Sequence, residues 1–322
     1  QASDWSSDVC SSDLSGLGGV ILFDKDPNDK QKVKNVRNKE QLKRLTSQLQ
    51  AISNQKLLIS IDQEGGIVQR LKKEDGFVDT PKASEIALNG ENFARKSYSA
   101  MAKDLRYSGI NVDFAPVVDL AINKDNKVIV TRGRSFGESS KEVIKYSSIF
   151  VEELKKQNII SVLKHFPGHG SSLADSHLGF VDITNTWNQK ELEPYRYFIA
   201  NNSVDMIMTA HVFNQNLDKN YPATLSYNVN TNLLRNKLGF DGVIVSDDLQ
   251  MSAISKHYDL KQTLTLAINS GVNMLLFANQ LSKPVSLKEI VDIVYKQVLN
   301  NQISIEQIIK SNQRIDRMMS KY

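Results

Sequence analysis

Short apolar runs alternate with helical patterns along most of this chain. Residues 19–23, 57–61, 112–115, 159–163, 206–209, 243–245 and 274–277 read as strands. Between the first two, Leu42, Leu45, Leu49 and Ile52 recur at helical spacing. Phe93, Ala94, Tyr98, Met101 and Leu105 do the same before the third strand. Val143, Tyr146, Ile149, Phe150 and Leu154 do so before the fourth. Apolar strands alternating with amphipathic helices indicate a parallel sheet covered on both faces. An open doubly wound sheet would usually carry a Gly-rich phosphate loop after a strand. Gly16-Leu17-Gly18-Gly19 instead precedes its strand and lacks that spacing. The expected fold is therefore α/β, a TIM-type (β/α)8 barrel. Such a barrel needs eight strands, so this reading carries the expectation that the first strand and helix are missing from the sequence. Helices over 286–300 and 305–318 are expected to pack outside the barrel.

Composition adds one boundary. Asp4-Trp5-Ser6-Ser7-Asp8-Val9-Cys10-Ser11-Ser12-Asp13-Leu14 has no apolar periodicity and no signal-peptide core. It reads as the in-frame translation of a sequencing adapter, so residues 1–14 are set aside as non-native. Residues 15–322 form one expected catalytic domain. Cys10, the sole cysteine, falls in the excluded segment, which removes both a disulfide framework and thiolate chemistry. A native targeting signal cannot be assessed, and localisation stays open between cytoplasm and periplasm. Charged residues make up 24% of the chain and apolar residues 40%, a balance that permits a large core. No run is long and apolar enough to span a bilayer. The net charge of +4 is spread along the chain, as at Lys30-Gln31-Lys32 and Lys155-Lys156. A nucleic-acid partner would call for a clustered basic stripe, so none is expected. The expected state is a monomer.

Candidate chemistry gathers where strands end. Residues 57–61 run into Asp62-Gln63-Glu64-Gly65-Gly66, with Arg70 shortly after. Residues 159–163 run into Lys164-His165-Phe166-Pro167-Gly168-His169-Gly170, followed by Asp175-Ser176-His177. Residues 206–209 run into Ala210-His211, and 243–245 into Ser246-Asp247-Asp248. Glycine and proline should place the Lys164-His165 group on a loop at its strand's C-terminal end. If the strands are parallel, all these groups converge on one mouth, where barrel enzymes build their sites. Asp62 and Asp247 abut apolar strands, which a merely solvated rim does not require. For His211 a functional role is favoured by a smaller margin, because histidines satisfied by neighbouring backbone are common.

Taken together, these motifs, with Gly133-Arg134-Ser135-Phe136 and Ser246-Asp247-Asp248-Leu249, resemble glycoside hydrolase family 3 and its β-N-acetylhexosaminidase branch. The similarity runs from about Gly18 to about Phe277. The resemblance implies a single-domain barrel with another strand and helix before Gly18. It also implies a retaining, exo-acting enzyme that removes terminal N-acetylglucosamine from peptidoglycan fragments or chitin-type oligosaccharides. On this likeness Asp247 is the nucleophile, His177 the acid/base and Asp175 its dyad partner. Asp62, Arg70, Arg134, Lys164 and His165 take sugar-binding positions, and His211 is added to them from its strand-end place. A small saccharide or muropeptide is the implied substrate, with no cofactor and no metal. A retaining glycosidase needs a carboxylate nucleophile and a proton donor at the leaving oxygen. A histidine with an ordinary pKa of about 6.5 can act as donor and later as base.

Two other readings stay open on residues alone. Histidines and carboxylates at strand ends could bind a metal, as in an amidohydrolase-type barrel. No His-x-His lies at a strand end, however, and Lys164 would set a cation beside the ion. A non-catalytic saccharide-binding protein is the other reading. The aglycone, and the choice between water and phosphate as acceptor, are not legible in the sequence.

Overall fold

The computed structural model describes residues 17–27, 29, 31–173, 179–280 and 283–322. Its strands, in chain order, are β1 (Gly19–Ile21), β2 (Leu58–Ile61), β3 (Gln63–Gly65), β4 (Val68–Gln69), β5 (Val112–Asp113), β6 (Ile160–Phe166), β7 (Val181–Asp182), β8 (Met206–Thr209), β9 (Val212–Phe213) and β10 (Val243–Ser246). Six of them form one sheet in the order β1-β2-β5-β6-β8-β10, every pair parallel. A parallel bridge from Val245 to Met274 adds a seventh strand position beside β10. The helices are α1 (Lys39–Ile52), α2 (Ala83–Asn89), α3 (Glu91–Tyr107), α4 (Ser140–Lys155), α5 (Glu193–Ala200), α6 (Ser252–Ser255), α7 (Leu260–Ser270), α8 (Leu287–Leu299) and α9 (Ile305–Met319). Side-chain caps start several of them. Asn38 accepts from Gln41 N–H at α1, and Asp259 with Gln262 forms a reciprocal capping box at α7. Strand and helix alternate as the apolar pattern requires, and the architecture is that of a TIM-type (β/α)8 barrel.

Alternation along the strands sorts side chains into two layers. Leu58, Val112, Phe114, Ile160, Val162, Met206, Met208, Val243 and Val245 form one cluster, the inner layer. Their neighbours Ile59, Ile61, Leu163, Ile207 and Ile244 pack outward against helix residues such as Leu42, Tyr98, Met101, Phe150 and Leu154. This two-residue rhythm decides what reaches the mouth. Continued past Leu58, Val162 and Val245, the inner parity arrives at Asp62, Lys164 and Asp247.

Two sequence expectations need correction. β6 does not stop at Leu163. It continues through Lys164, His165 and Phe166, because the segment after β5 supplies pairing: Val117 bridges Lys164, and Val118 N–H donates to Lys164 C=O. The loop starts only at Pro167. The second correction concerns α9, which does not lie on the outer wall. Met318 is buried in the inner layer, with Ile315, Met319 and Tyr322 packed beside it. Arg314 and Arg317 bind Asp241, while Lys321 and the Tyr322 hydroxyl bind Asp205. Asp205 and Asp241 stand just before β8 and β10, so α9 covers the N-terminal end of the barrel. Met318→Ala should therefore lower stability by about 2–5 kcal/mol, as truncation of a buried methionine does. Urea unfolding would read it, and an unchanged midpoint would place Met318 outside the core.

Candidate active site

Asp62, at the end of β2, faces Lys164, at the end of β6. Lys164 Nζ lies 3.0 Å from Asp62 Oδ1 and 2.7 Å from Glu64 Oε1. Arg134 grips Glu64 through two bonds of 2.7 Å, from Nε and from Nη2. Arg70 Nη2 approaches the other oxygen of Asp62 at 3.2 Å. Lys164, Glu64 and Arg134 are buried or nearly so, while Asp62 and Arg70 keep partial access to solvent. Three cations and two carboxylates thus form one connected network. The planar guanidinium matches the carboxylate fork, the strongest geometry such a pair can take.

The short β3–β4 hairpin positions Glu64. Gln63 Oε1 accepts from Arg70 N–H and Leu71 N–H, each at 2.9 Å, and closes the hairpin on itself. Gly65 takes φ +98°, and a side chain there would meet the Pro81 carbonyl at 2.4 Å. The Asp-Gln-Glu-Gly-Gly motif is therefore a folded device that turns Glu64 back under Arg134.

Burial alone would raise both carboxyls. The nearby cations win: Lys164 and Arg70 hold Asp62 below its ordinary range, and Arg134 and Lys164 hold Glu64 down to about 2. Burial pulls Lys164 and Arg134 down, but the same carboxylates push both above their usual values. Asp62, Glu64, Lys164 and Arg134 are thus ionised at neutral pH. Because Glu64 is depressed in the folded state, its contribution is complete above the ordinary carboxylate pKa near 4.5 and is lost as pH falls toward about 2. Unfolding midpoints should drop steeply across that window. Glu64→Gln should flatten the slope there, and a slope equal to that of the unaltered protein would refute the assignment.

A second cluster lies behind the first. Asp119 is fully buried and accepts from His165 Nδ1 at 2.7 Å and from His169 N–H at 2.8 Å. Burial pushes its carboxyl up, but the His165 imidazole outweighs that and keeps it below the ordinary range. His165 Nε2 sits 3.5 Å from Arg134 Nη2, which links the two clusters. His169 is buried and pushed down to about 4, first by burial and then by His165. Its Nδ1 lies 2.7 Å from Ser172 Oγ.

Asp247 follows β10 on the inner parity and is half-buried. Its own N–H donates to Thr209 C=O at 3.3 Å, and its Oδ1 accepts from Asp248 N–H at 2.8 Å. Asp248 turns away: its Oδ1 accepts from Gln250 N–H and Ala278 N–H. His211 is buried, with Nδ1 2.8 Å from Thr224 Oγ1 and Nε2 2.8 Å from Asp248 C=O. Both ring nitrogens thus engage the protein, and His211 braces the Asp247-Asp248 turn from β8. Asp175 and His177 lie outside the described residues. On their far side Phe180 packs against Phe213 and His257, with ring centroids 5.3 and 5.8 Å away.

The structure therefore brings Asp62, Arg70, Arg134, Lys164 and His165 into one network and puts Asp247 and His211 at neighbouring strand ends. Sequence reading passed over Asp119 and Glu191, and quoted Glu64 and His169 within motifs without giving either a role. Asp119 had a signal: it follows the apolar pair Val117-Val118 just as Asp62 follows Ile61. For Glu191 the sequence shows nothing distinctive.

A parallel barrel with paired carboxylates and cations at the C-terminal strand ends belongs to the class of barrel enzymes that act at that face. Comparison with known proteins narrows the class. The profile described as "Glycosyl hydrolase family 3 N terminal domain" matches residues 12–318, and the chain belongs to that family. It is 34% identical over 336 residues to beta-hexosaminidase A of Pseudoalteromonas piscicida, covering 95% of this chain and 53% of that one. It is 35% identical over 265 residues to a beta-hexosaminidase of Photobacterium profundum, covering 82% of this chain and 75% of the relative. Among solved structures, a glycoside hydrolase family 3 beta-N-acetylglucosaminidase from Paenibacillus superposes with a TM-score of 0.83 at 33% identity. That match covers 94% of this chain and 56% of the other. The chain thus spans about half the length of two of these three relatives.

Proposed function

We propose that this chain is a retaining, exo-acting β-N-acetylhexosaminidase that releases terminal N-acetylglucosamine from peptidoglycan fragments or chitin-type oligosaccharides. The observation that carries the reading is the ionised network of Asp62, Lys164, Glu64 and Arg134, whose Asp62 and Lys164 lie on the inner parity that also delivers Asp247. Asp62 and Arg70, partly open to solvent, and the buried Lys164 behind them offer charged acceptors and donors that suit the hydroxyls of a pyranose ring. Their mutual pairing fixes them before substrate arrives, which is the positioning an attack on one anomeric carbon needs. Asp247 attacks that carbon and forms the glycosyl-enzyme. His177, oriented by Asp175, protonates the leaving oxygen and then activates the acceptor. The names carried by the relatives support an N-acetylhexosamine as the sugar released.

The test is hydrolysis of an aryl β-N-acetylglucosaminide, run with and without a chelator, followed by product analysis with and without phosphate. Release of β-N-acetylglucosamine that chelation does not slow is the expected result. No turnover of any N-acetylglucosaminide would overturn the proposal. A sugar phosphate as product would keep the nucleophile and change the acceptor.

A further inference from the structure

The segment 168–172 leads from β6 into the residues that carry Asp175 and His177. It is buried throughout and held mostly from one side. Asn126 Nδ2 donates to His169 C=O at 2.8 Å, Gly170 C=O at 3.3 Å and Ser172 Oγ at 3.0 Å. Asn123 Nδ2 donates to Ser172 C=O at 2.9 Å, and Asp119 takes His169 N–H. All three anchors precede the segment in sequence. One carboxyl grips it from the opposite direction. Glu191, in the short helical turn Gln189–Leu192 just before α5, accepts Gly170 N–H at 2.9 Å through Oε2. It follows the segment in sequence, whereas the other anchors precede it.

The fit is tight on both sides. A Cβ on Gly168 would lie 2.6 Å from Glu191 Cβ, and one on Gly170 would lie 1.7 Å from Leu120 C=O. Trp187 Nε1 donates to Pro167 C=O at 3.1 Å and reinforces the same junction. Glu191 is itself buried. Asp119 faces it from the segment after β5, Ser171 and Gly170 from the loop, and Tyr195 from α5. None of these is a cation. Burial, helped by Asp119 and offset by Ser171 and the backbone donors, pushes the carboxyl up to about 7. A buried carboxyl without a cationic partner costs stability unless its hydrogen bonds compensate. Its place here suits a part in the geometry of 168–172 rather than in the energy of the core.

We propose that Glu191 is a positioning residue: by tying Gly170 to the turn ahead of α5, it fixes the segment 168–172 that leads in sequence to Asp175 and His177. This rests on the glycosidase reading only for the role of His177. Misplacing a proton donor slows departure of a poor leaving group and spares a good one. A merely structural residue would lower both rates together.

The test uses Glu191→Asp, which keeps the carboxyl but is one methylene short of Gly170, and Glu191→Gln, which keeps both reach and acceptor. Glu191→Asp should reduce kcat/KM on an unactivated N-acetylglucosaminyl disaccharide by up to about 100-fold, the scale of an ångström's misplacement. On an activated aryl glycoside, with glycosylation measured alone, the loss should stay within about threefold. Glu191→Gln should stay close to the unaltered enzyme on both. Backbone hydrogen exchange over 166–180 should quicken in Glu191→Asp and not in Glu191→Gln. Equal losses on both substrates, a Glu191→Gln variant as impaired as Glu191→Asp, or unchanged exchange would each overturn the assignment. If the unaltered protein proves inactive on both substrates, the glycosidase reading fails and the exchange experiment still decides the tie.

Discussion

Asp247→Ala is expected to abolish turnover while leaving the fold intact. The loss should be on the order of 10⁴-fold or more, the scale seen when a group that acts covalently is removed. The structure narrows the alternatives. Glu64 is held by Arg134 and Lys164 and kept down to about 2, so it is a poor candidate for bond formation. Asp248 spends one oxygen on the N–H groups of Gln250 and Ala278. Asp247 follows Val245 on the face lined by the inner layer, and its turn is braced by His211 and Thr209. A slow fluorinated N-acetylglucosaminyl substrate should leave its label on Asp247, and mass spectrometry of the digest would locate it. A label on Asp248 or Glu64 would sink the assignment. Substitution there should leave the folded core in place, since Asp247 is only half-buried.

The second large effect belongs to His177. His177→Ala should cost about 10²- to 10⁴-fold in the glycosylation step on a natural disaccharide, the usual yield of a positioned proton donor. On an activated aryl glycoside the same step should be nearly unaffected, because a good leaving group departs without a proton. Asp175→Ala should show a milder form with an altered pH profile. Glycosylation must be isolated, since the later step also needs the base. If leaving-group dependence is unchanged in His177→Ala, the donor lies elsewhere. His165 and His169 are poor replacements, because both are buried, one with Nδ1 on Asp119 and the other with Nδ1 on Ser172 Oγ.

Much of this site was legible in the sequence because its groups sit at the ends of regular strands. Apolar periodicity located the strands, and whatever polar residue came next was thereby placed at the mouth. Asp62, Lys164, His165 and Asp247 were all reached this way. What stayed hidden depends on contacts between distant segments. The extension of β6 through Phe166 follows from pairing with residues after β5, which local pattern cannot show. Glu191 lies in a polar stretch, and its value appears only when the chain returns beneath Gly170. The place of α9 was misread for a related reason. Its amphipathic pattern announces one apolar face but not which surface that face will meet, and the deciding partners Asp205 and Asp241 are over seventy residues away.

The two-layer rhythm of the strands bears on how this sequence can diverge. Lys164 points to the mouth because it is two residues beyond Val162, and Leu163 points to the helices because it is one. Deleting one residue from β6 would exchange those destinations, burying an amine among aliphatic side chains and offering leucine to the substrate. No later substitution nearby would repair that. Length in the strands should therefore be frozen by selection, while their apolar identities drift among similar volumes. Insertions and deletions should accumulate instead in stretches with no parity to keep. Exposed turns such as the one at Lys73–Asp75 are the natural places for them.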